Sequence, residues 1–163
     1  MDAINQPLLS IRDLSVAFHQ EGAPSVAVDR ISFDIKRGEC VALVGESGSG
    51  KSATSLAALR LLPATAQVSG SIVFAGQDLL KLPEEAMRRH RGRSIAMIFQ
   101  EPMTALNPSM RIGAQIAEAL QAHHPGLSRH ELRQKVLSSM REVGLPEPER
   151  RIGDAGRALP RDL

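Results

Sequence analysis

The stretch "GESGSGKS", residues 45–52, combines the residue types that can bind a phosphate group. It fits the pattern G-x-x-x-x-G-K-[ST] at Gly45, Gly50, Lys51 and Ser52. Small residues allow consecutive backbone N–H groups to turn inward around a phosphate. The lysine can reach outer phosphates as a flexible cation, and the serine hydroxyl suits one ligand position on Mg²⁺. The loop therefore predicts a site for a phosphate-bearing nucleotide with magnesium.

The sequence on either side of the loop agrees with this chemistry. The apolar run "CVALV", residues 40–44, predicts a strand buried on both faces, as in a parallel central sheet. Good helix formers at 52–62 predict a helix that ends at Pro63, and its N-terminus would add about half a positive charge. A flexible loop that merely links strand and helix is the alternative. The predicted phosphate cradle comprises Gly45, Glu46, Ser47, Gly48, Ser49, Gly50, Lys51 and Ser52, with the Glu46 side chain facing solvent.

Elsewhere the sequence predicts strands first and helices later. Strands are expected at 8–18 (with a break near Asp13), 27–35 and 94–100, with a hairpin-like region at 70–79. Helices are expected at 82–90, 111–123 and 127–144, the last with a capping box of Ser128 and Glu131 at its start and Gly144 at its end. This order predicts an α/β domain with additional parts.

Composition excludes several kinds of function. The 163 residues suffice for one domain, and 20 basic against 18 acidic residues give no argument for nucleic acid. The single cysteine, Cys40, excludes an intrachain disulfide and is expected to be a small buried residue. His123 and His124 are adjacent, so they point to different faces of a helix and make a poor metal pair. No signal peptide or membrane-spanning run is evident, which predicts a cytoplasmic location.

Three stretches make the chain similar to the nucleotide-binding subunits of ABC transporters: "LVGESGSGKS", "IFQEPMTALNP" and "LLSIRDLSVAF". The middle stretch resembles the ATPase subunits of bacterial peptide importers, a group that includes dipeptide, oligopeptide, glutathione and nickel systems. The resemblance implies a P-loop NTPase of the α/β class, an ABC ATPase core with an antiparallel β subdomain and the start of a helical subdomain. It places the β subdomain and core at 7–100, the Q-loop and helical start at 101–145, and an atypical tail at 154–163.

The resemblance also implies roles for two further residues. Phe18 matches the aromatic residue that stacks on adenine, and a core residue at a strand end is the alternative. Gln100 matches the Q-loop glutamine, whose amide oxygen can bind Mg²⁺ or orient a water, and a capping residue at a strand end is the alternative. The implied cofactors are ATP and Mg²⁺, with Ser52 and Gln100 as the magnesium ligands.

The same resemblance implies partners and a place in the cell. The helical segment from Met110 to Val143, together with the Q-loop, would meet the coupling helices of membrane-spanning permease subunits. A second ATP-binding subunit would complete the ATP site. The protein would lie peripherally on the cytoplasmic side of the inner membrane.

Several elements that hydrolysis requires in this family are not found in the sequence. No LSGG-type signature, no apolar strand ending in Asp-Glu and no switch histidine follows Gln100, and the family-like sequence gives way to "AGRALPRDL". We therefore expect a C-terminally truncated ATPase subunit that binds ATP weakly at most and does not hydrolyse it. The alternatives are a non-hydrolysing nucleotide-binding or docking remnant, and a different P-loop NTPase.

Overall fold

A computed structural model describes residues 6–19, 23–99 and 106–155. These residues form two compact units, one up to Arg91 and the other from Gly92 onward. The first contains a sheet and two helices, and the second is helical. No helix of the described ranges is long and apolar enough to cross a membrane.

The first unit is built on a four-stranded antiparallel sheet in the order β2-β1-β3-β4. Its strands are β1 (Leu9–Phe18), β2 (Ser25–Ile35), β3 (Ala66–Phe74) and β4 (Gln77–Asp78). A two-residue turn joins β3 to β4, and Ala75 and Gly76 both have positive φ there, as a twisted hairpin requires. The strands at 8–18 and 27–35 and the hairpin at 70–79 are thus confirmed.

The predicted break near Asp13 is a β-bulge within a continuous strand. Between Arg12 and Ser15 the register of β1 against β3 shifts by one residue, and Asp13 has a φ of 46°. Gly70 of β3 lies opposite, where a Cβ atom would come within 2.5 Å of the Asp13 carbonyl oxygen. The bulge therefore requires glycine on the neighbouring strand.

Two helices complete the first unit, α1 (Lys51–Leu59) and α2 (Glu84–His90). The helix predicted at 52–62 ends earlier, at Leu59, because the next residue, Arg60, adopts the left-handed conformation that closes helices. The largest side chains of the buried core come from the sheet, the turn after β4 and α2: Ile11, Leu14, Val16, Ile72, Leu79 and Met87.

The buried strand predicted at 40–44 is wrong for this structure. Cys40 is exposed, no strand forms there, and Val44 exposes 85% of its surface. Likewise 94–99 is not a strand, and Ile98 is 95% exposed. A strand buried on both faces needs flanking strands that pair with its backbone and elements that cover its faces, and no described strand pairs with either segment.

The second unit contains α3 (Ile112–His123), α4 (Arg129–Glu142) and α5 (Pro148–Arg151). Val136, Met140 and Leu145 form its buried cluster, against which partly buried residues of α3 pack. The chain after α5 closes the start of α3: Ile112 N–H donates to the Asp154 carbonyl at 2.9 Å. The two long helices confirm the predictions at 111–123 and 127–144.

The predicted capping box at the start of α4 is present in full. The Glu131 N–H donates to the Ser128 hydroxyl oxygen at 3.3 Å, and the Ser128 N–H donates to the Glu131 carboxylate at 2.9 Å. The Ser128 hydroxyl also donates to the Glu131 carboxylate at 2.6 Å, and this bond together with that from the Ser128 N–H holds the pKa of the Glu131 carboxyl below its usual value. At the other end of α4, Gly144 has a φ of 73°, as predicted for a residue that ends a helix.

Replacing Ser128 by alanine should lower the free energy of unfolding by about 1 kcal/mol at pH 7, because the cap is lost. Ser138→Ala on the exposed middle of α4 is the matched control and should change little. Because the folded pKa of Glu131 is depressed, its share of the cap is present above the ordinary glutamate pKa and is lost as pH falls through the folded value. Urea unfolding at several pH values measures both effects, and equal stability of the two variants at pH 7 would contradict this role.

Candidate phosphate-binding site

The glycine loop ends at the start of α1 with free backbone donors. The first hydrogen bond of the helix runs from the Thr54 N–H to the Gly50 carbonyl at 2.9 Å. The N–H groups of Lys51, Ser52 and Ala53 precede it, so they have no acceptor within the helix. The first turn contains no acidic residue that would compete with an anion. This helix end therefore suits a phosphate group.

Lys51 folds back across the loop that precedes it. Its ammonium group donates to the carbonyl oxygens of Gly45 and Glu46 at 2.7 and 2.6 Å, and to the Ser49 hydroxyl oxygen at 3.1 Å. A Cβ atom on Gly45 would come within 2.5 Å of that hydroxyl oxygen. The lysine charge is thus fixed over the loop, within a few ångströms of its backbone.

Gly50 joins this loop to the sheet. It has a φ of 86°, and a Cβ atom there would overlap the Ala27 carbonyl oxygen and lie 2.9 Å from a methyl group of Val28. β2 bulges at this point, because Val16 and Ala17 of β1 pair with Val28 and Val26 and leave Ala27 without an opposite residue. The loop therefore rests on a β-bulge, a contact that the sequence motif does not reveal.

Phe18 lies at the same end of the sheet. It is the last residue of β1, half-buried, and pairs with Ser25, two residues before Ala27 on β2. With about 3.3 Å per residue along a strand and 4.8 Å between strands, its Cα is roughly 8 Å from that of Ala27. Because Ala27 contacts Gly50, the structure brings Phe18 near the glycine loop.

Two further predicted site residues have exposed side chains. Ser52 lies in the first turn of α1, and Glu46 lies in the loop, where its side chain faces solvent as predicted. Gln100 lies outside the described residues. Within 6–19, 23–99 and 106–155, no cluster of His, Cys, Asp and Glu side chains could bind a metal ion by itself.

The C-terminal end of α1 is capped by polar contacts that were not predicted from the sequence. Arg91 Nε donates to the Leu59 carbonyl at 2.7 Å, and its Nη2 donates to the Arg60 carbonyl at 3.3 Å. The same guanidinium donates to the Glu84 carboxylate, and this hydrogen bond lowers the Glu84 pKa below its usual value. Arg60 Nη1 donates to the Leu82 carbonyl at 2.5 Å. Arg91 is thus a structural cap, although it belongs to the run "RRHRGR", residues 88–93, whose composition is typical of a solvated helix end and loop.

In the second unit, Gln115 of α3 fixes the preceding loop. Its amide accepts from the Asn107 N–H at 2.8 Å and donates to the Asn107 and Met110 carbonyls at 3.0 and 3.2 Å. Beside this contact lies an open groove of about 640 Å³, whose apolar lining includes Leu106, Met110, Ile116, Ala119 and Ala122. The loop that Gln115 holds also lines the groove, so the hydrogen bonds of the amide help to position the apolar surface.

A family model described as "ABC transporter" matches residues 28–159, which include the glycine loop and α1. The chain belongs to this family. The α/β fold of an ABC ATPase, predicted from the sequence, is confirmed by two dimeric structures of the bacterial ABC transporter cassette MJ0796. The TM-scores are 0.78 and 0.75 at 21% and 20% identity, over 94% and 93% of this chain and 63% of each cassette.

Similar curated proteins are ATP-binding proteins of transport systems. The chain is 56% identical over 97% of its length to the peptidoglycan transport ATP-binding protein YejF of Agrobacterium fabrum. It is 45% identical over 96% and 89% of its length to the oligopeptide transport protein OppD of Mycobacterium tuberculosis and the dipeptide transport protein DppD of Escherichia coli. It spans 28%, 25% and 44% of those proteins, respectively.

Two glycine substitutions separate the loop's contact with β2 from its backbone conformation. Gly48 has a φ of 82°, close to that of Gly50, but a Cβ atom there would meet nothing within 4 Å. Gly48→Ala should therefore lower the free energy of unfolding by about 1 kcal/mol, the cost of the left-handed conformation alone. Gly50→Ala should lower it by at least twice as much, because the Cβ also overlaps Ala27. Urea denaturation compares them, and equal losses would contradict the contact with the bulge.

Proposed function

We propose that this chain is the ATP-binding part of an ABC importer ATPase that drives uptake of peptides or similar small solutes. The observation that carries the proposal is the free helix end of α1, with Lys51 over the glycine loop, in a chain of this family. The names of the curated relatives support peptides as the class of solute.

The cradle would bind the phosphates through backbone and side-chain donors. N–H groups at the start of α1 would donate to phosphate oxygens, and the helix dipole would favour their negative charge. The Lys51 ammonium would exchange the loop carbonyls for the outer phosphates, a small movement because it already lies over the loop. Bound magnesium would neutralise phosphate charge, with Ser52 and Gln100 as its proposed ligands.

Phe18 would bind the other end of the nucleotide. An aromatic ring about two strand positions from the loop contact is well placed to stack on a base whose phosphates lie at Gly50. Such stacking contributes roughly 1–3 kcal/mol for each base. Adenine and phosphate recognition would then depend on separate residues, which can be tested separately.

The second unit would supply the contact with the transport partner. A permease subunit that presents a short helix could place apolar side chains in the groove beside Gln115. This agrees with the position of the groove directly after the Q-loop in the sequence. The protein would thus work on the cytoplasmic side of the inner membrane with permease subunits and a second ATP-binding subunit.

We further propose that this chain alone binds ATP without hydrolysing it. ATP turnover in the family requires a signature motif and a glutamate next to the magnesium-binding aspartate, and the 163 residues contain neither motif. A docking remnant that does not bind nucleotide is the competing function, and the open groove in the second unit is the observation that favours it.

Removal of the Lys51 charge tests the proposed ATP site. Lys51→Ala should weaken binding of the fluorescent analogue trinitrophenyl-ATP by at least about tenfold, because a charge-assisted hydrogen bond contributes about 1.5–3 kcal/mol. Lys81→Ala is the matched control, since Lys81 is in the same unit and its side chain is 81% exposed. Equal affinities of the two variants would refute the phosphate cradle and favour the docking remnant.

Phosphate release tests whether the bound ATP is hydrolysed. The unmodified chain with Mg²⁺ and ATP should release phosphate no faster than its Lys51→Ala variant in a coupled colorimetric assay. Release above that control would show that the chain completes a hydrolytic site by another route. Such a result would reject the non-hydrolysing proposal and leave the ATP-binding proposal standing.

Truncation of Phe18 tests adenine stacking. Phe18→Ala should weaken adenosine binding by about 1–3 kcal/mol, which is roughly a 5- to 150-fold change in dissociation constant. Phe33→Ala on β2 is the control: Phe33 pairs with Ile11, seven residues from Phe18 along β1 and thus roughly 23 Å away. Titration calorimetry measures both variants. Similar adenosine affinities of the two would indicate that Phe18 is a core residue and does not stack on adenine.

A further inference from the structure

The direction of α1 decides where its free N–H groups point. The helix has nine residues, so it is about 14 Å long, and a swing of about 10° around its C-terminal end would move the N-terminal end by about 2 Å. A binding constellation tolerates only about 0.5 Å of misplacement. The C-terminal end of α1 therefore needs an anchor as definite as the contact of Gly50 at the other end.

Apolar packing provides part of that anchor. The buried residues of α1 are Thr54, Ala57 and Leu59, and two of these have small side chains. Leu59, the last residue of α1, is the only large side chain among these three, so apolar packing holds the C-terminal end mainly through this residue. Hydrogen bonds to the carbonyl oxygens of Leu59 and Arg60 add a directional restraint to this packing.

Arg91 supplies this polar restraint. Its guanidinium joins the carbonyl oxygens of Leu59, the last residue of α1, and of Arg60, which follows it, to the Glu84 carboxylate in the first turn of α2. The side chain is only 22% exposed, so these hydrogen bonds are partly shielded from water. A planar fork with several donors fixes orientation in a way that a lysine ammonium does not.

Arg60 makes the junction more rigid. It stands in the left-handed position that normally takes glycine, with a φ of 52°, and its N–H and that of Leu61 donate to Ala57 and Leu56 carbonyls. Its own guanidinium donates to the Leu82 carbonyl and lies 3.7 Å from the Glu84 carboxylate. The two arginines and Glu84 thus tie the end of α1 to the start of α2.

We infer that Arg91 is a positioning residue for the phosphate cradle, 40 positions away from Lys51 in sequence. It touches no nucleotide in this proposal. It fixes the direction of α1 at the C-terminal end of the helix. It thereby fixes the direction of the N–H groups at the N-terminal end, which would bind the phosphates. The inference rests on the proposed function, and it assigns the cradle a part that the glycine motif does not contain.

The test compares ATP with adenosine, because adenosine carries no phosphate. Arg91→Gln should weaken ATP binding by about tenfold and leave adenosine binding within about twofold, since misdirected N–H groups affect phosphates alone. Arg91→Lys should give an intermediate loss, because it keeps the charge and loses the fork. Arg88→Gln in the last turn of α2, three residues before Arg91, is the matched control, with a side chain that is 70% exposed, and should change neither affinity. Titration calorimetry with Mg²⁺ present measures all of these.

A purely structural role would give a different pattern. General destabilisation would lower ATP and adenosine binding by the same factor, and such a result would overturn the inference. Equal ATP affinities of the Arg91→Gln and Arg88→Gln variants would overturn it while leaving the proposed function intact. If the unmodified chain and Lys51→Ala bind ATP equally, both the proposed function and this inference fail.

A second variant covers the case in which Arg91→Gln does not fold. Glu84→Gln removes the carboxylate that orients Arg91 and leaves Arg91 with its hydrogen bonds to the Leu59 and Arg60 carbonyls. It should lower ATP affinity in the same selective way, by a smaller factor, and should speed hydrogen exchange in the last turn of α1 in the absence of nucleotide. Unchanged exchange together with unchanged ATP affinity in this variant would contradict the anchoring role.

Discussion

The close contact between Gly50 and the bulge of β2 is the constraint on which the rest of the site depends. The loop has to turn through a left-handed residue and at the same point lie flat on the carbonyl of Ala27. Any side chain would separate the loop from the sheet and tilt the helix that begins there. Because backbone N–H groups point along the helix axis, a change in that contact becomes a change in the direction of the donors.

Features that depend on neighbours in the sequence could be predicted from it. The capping box, the glycine at the end of α4 and the hairpin at 70–79 each involve residues a few positions apart, and the structure contains all three. The alternation of polar and apolar residues predicted β1 and β2, since one face of each strand is exposed to solvent. The order of residues at 45–52 likewise predicted a loop followed by a helix.

Features that depend on distant residues could not be predicted. Arg91 meets α1 at a carbonyl 32 residues earlier, and in the sequence it is one of several arginines in a charged run. Ala27 supports Gly50 through its backbone, so its identity carries no signal. For 40–44, the apolar composition indicates that the segment prefers a buried strand, whereas such a strand requires pairing strands that are not among the described ones. The sequence thus predicted the residues of the cradle better than the contacts that direct it.

The bulge at Asp13 and the glycine at position 70 are two parts of one feature. β1 has one residue more than the strand beside it, and the carbonyls of Arg12 and Asp13 fill the space that a side chain at Gly70 would need. Loss of the extra residue would restore the regular ladder and make room for a side chain there. A gap in β1 and a larger residue at position 70 should therefore occur together when related sequences are aligned, and either change by itself should be rare.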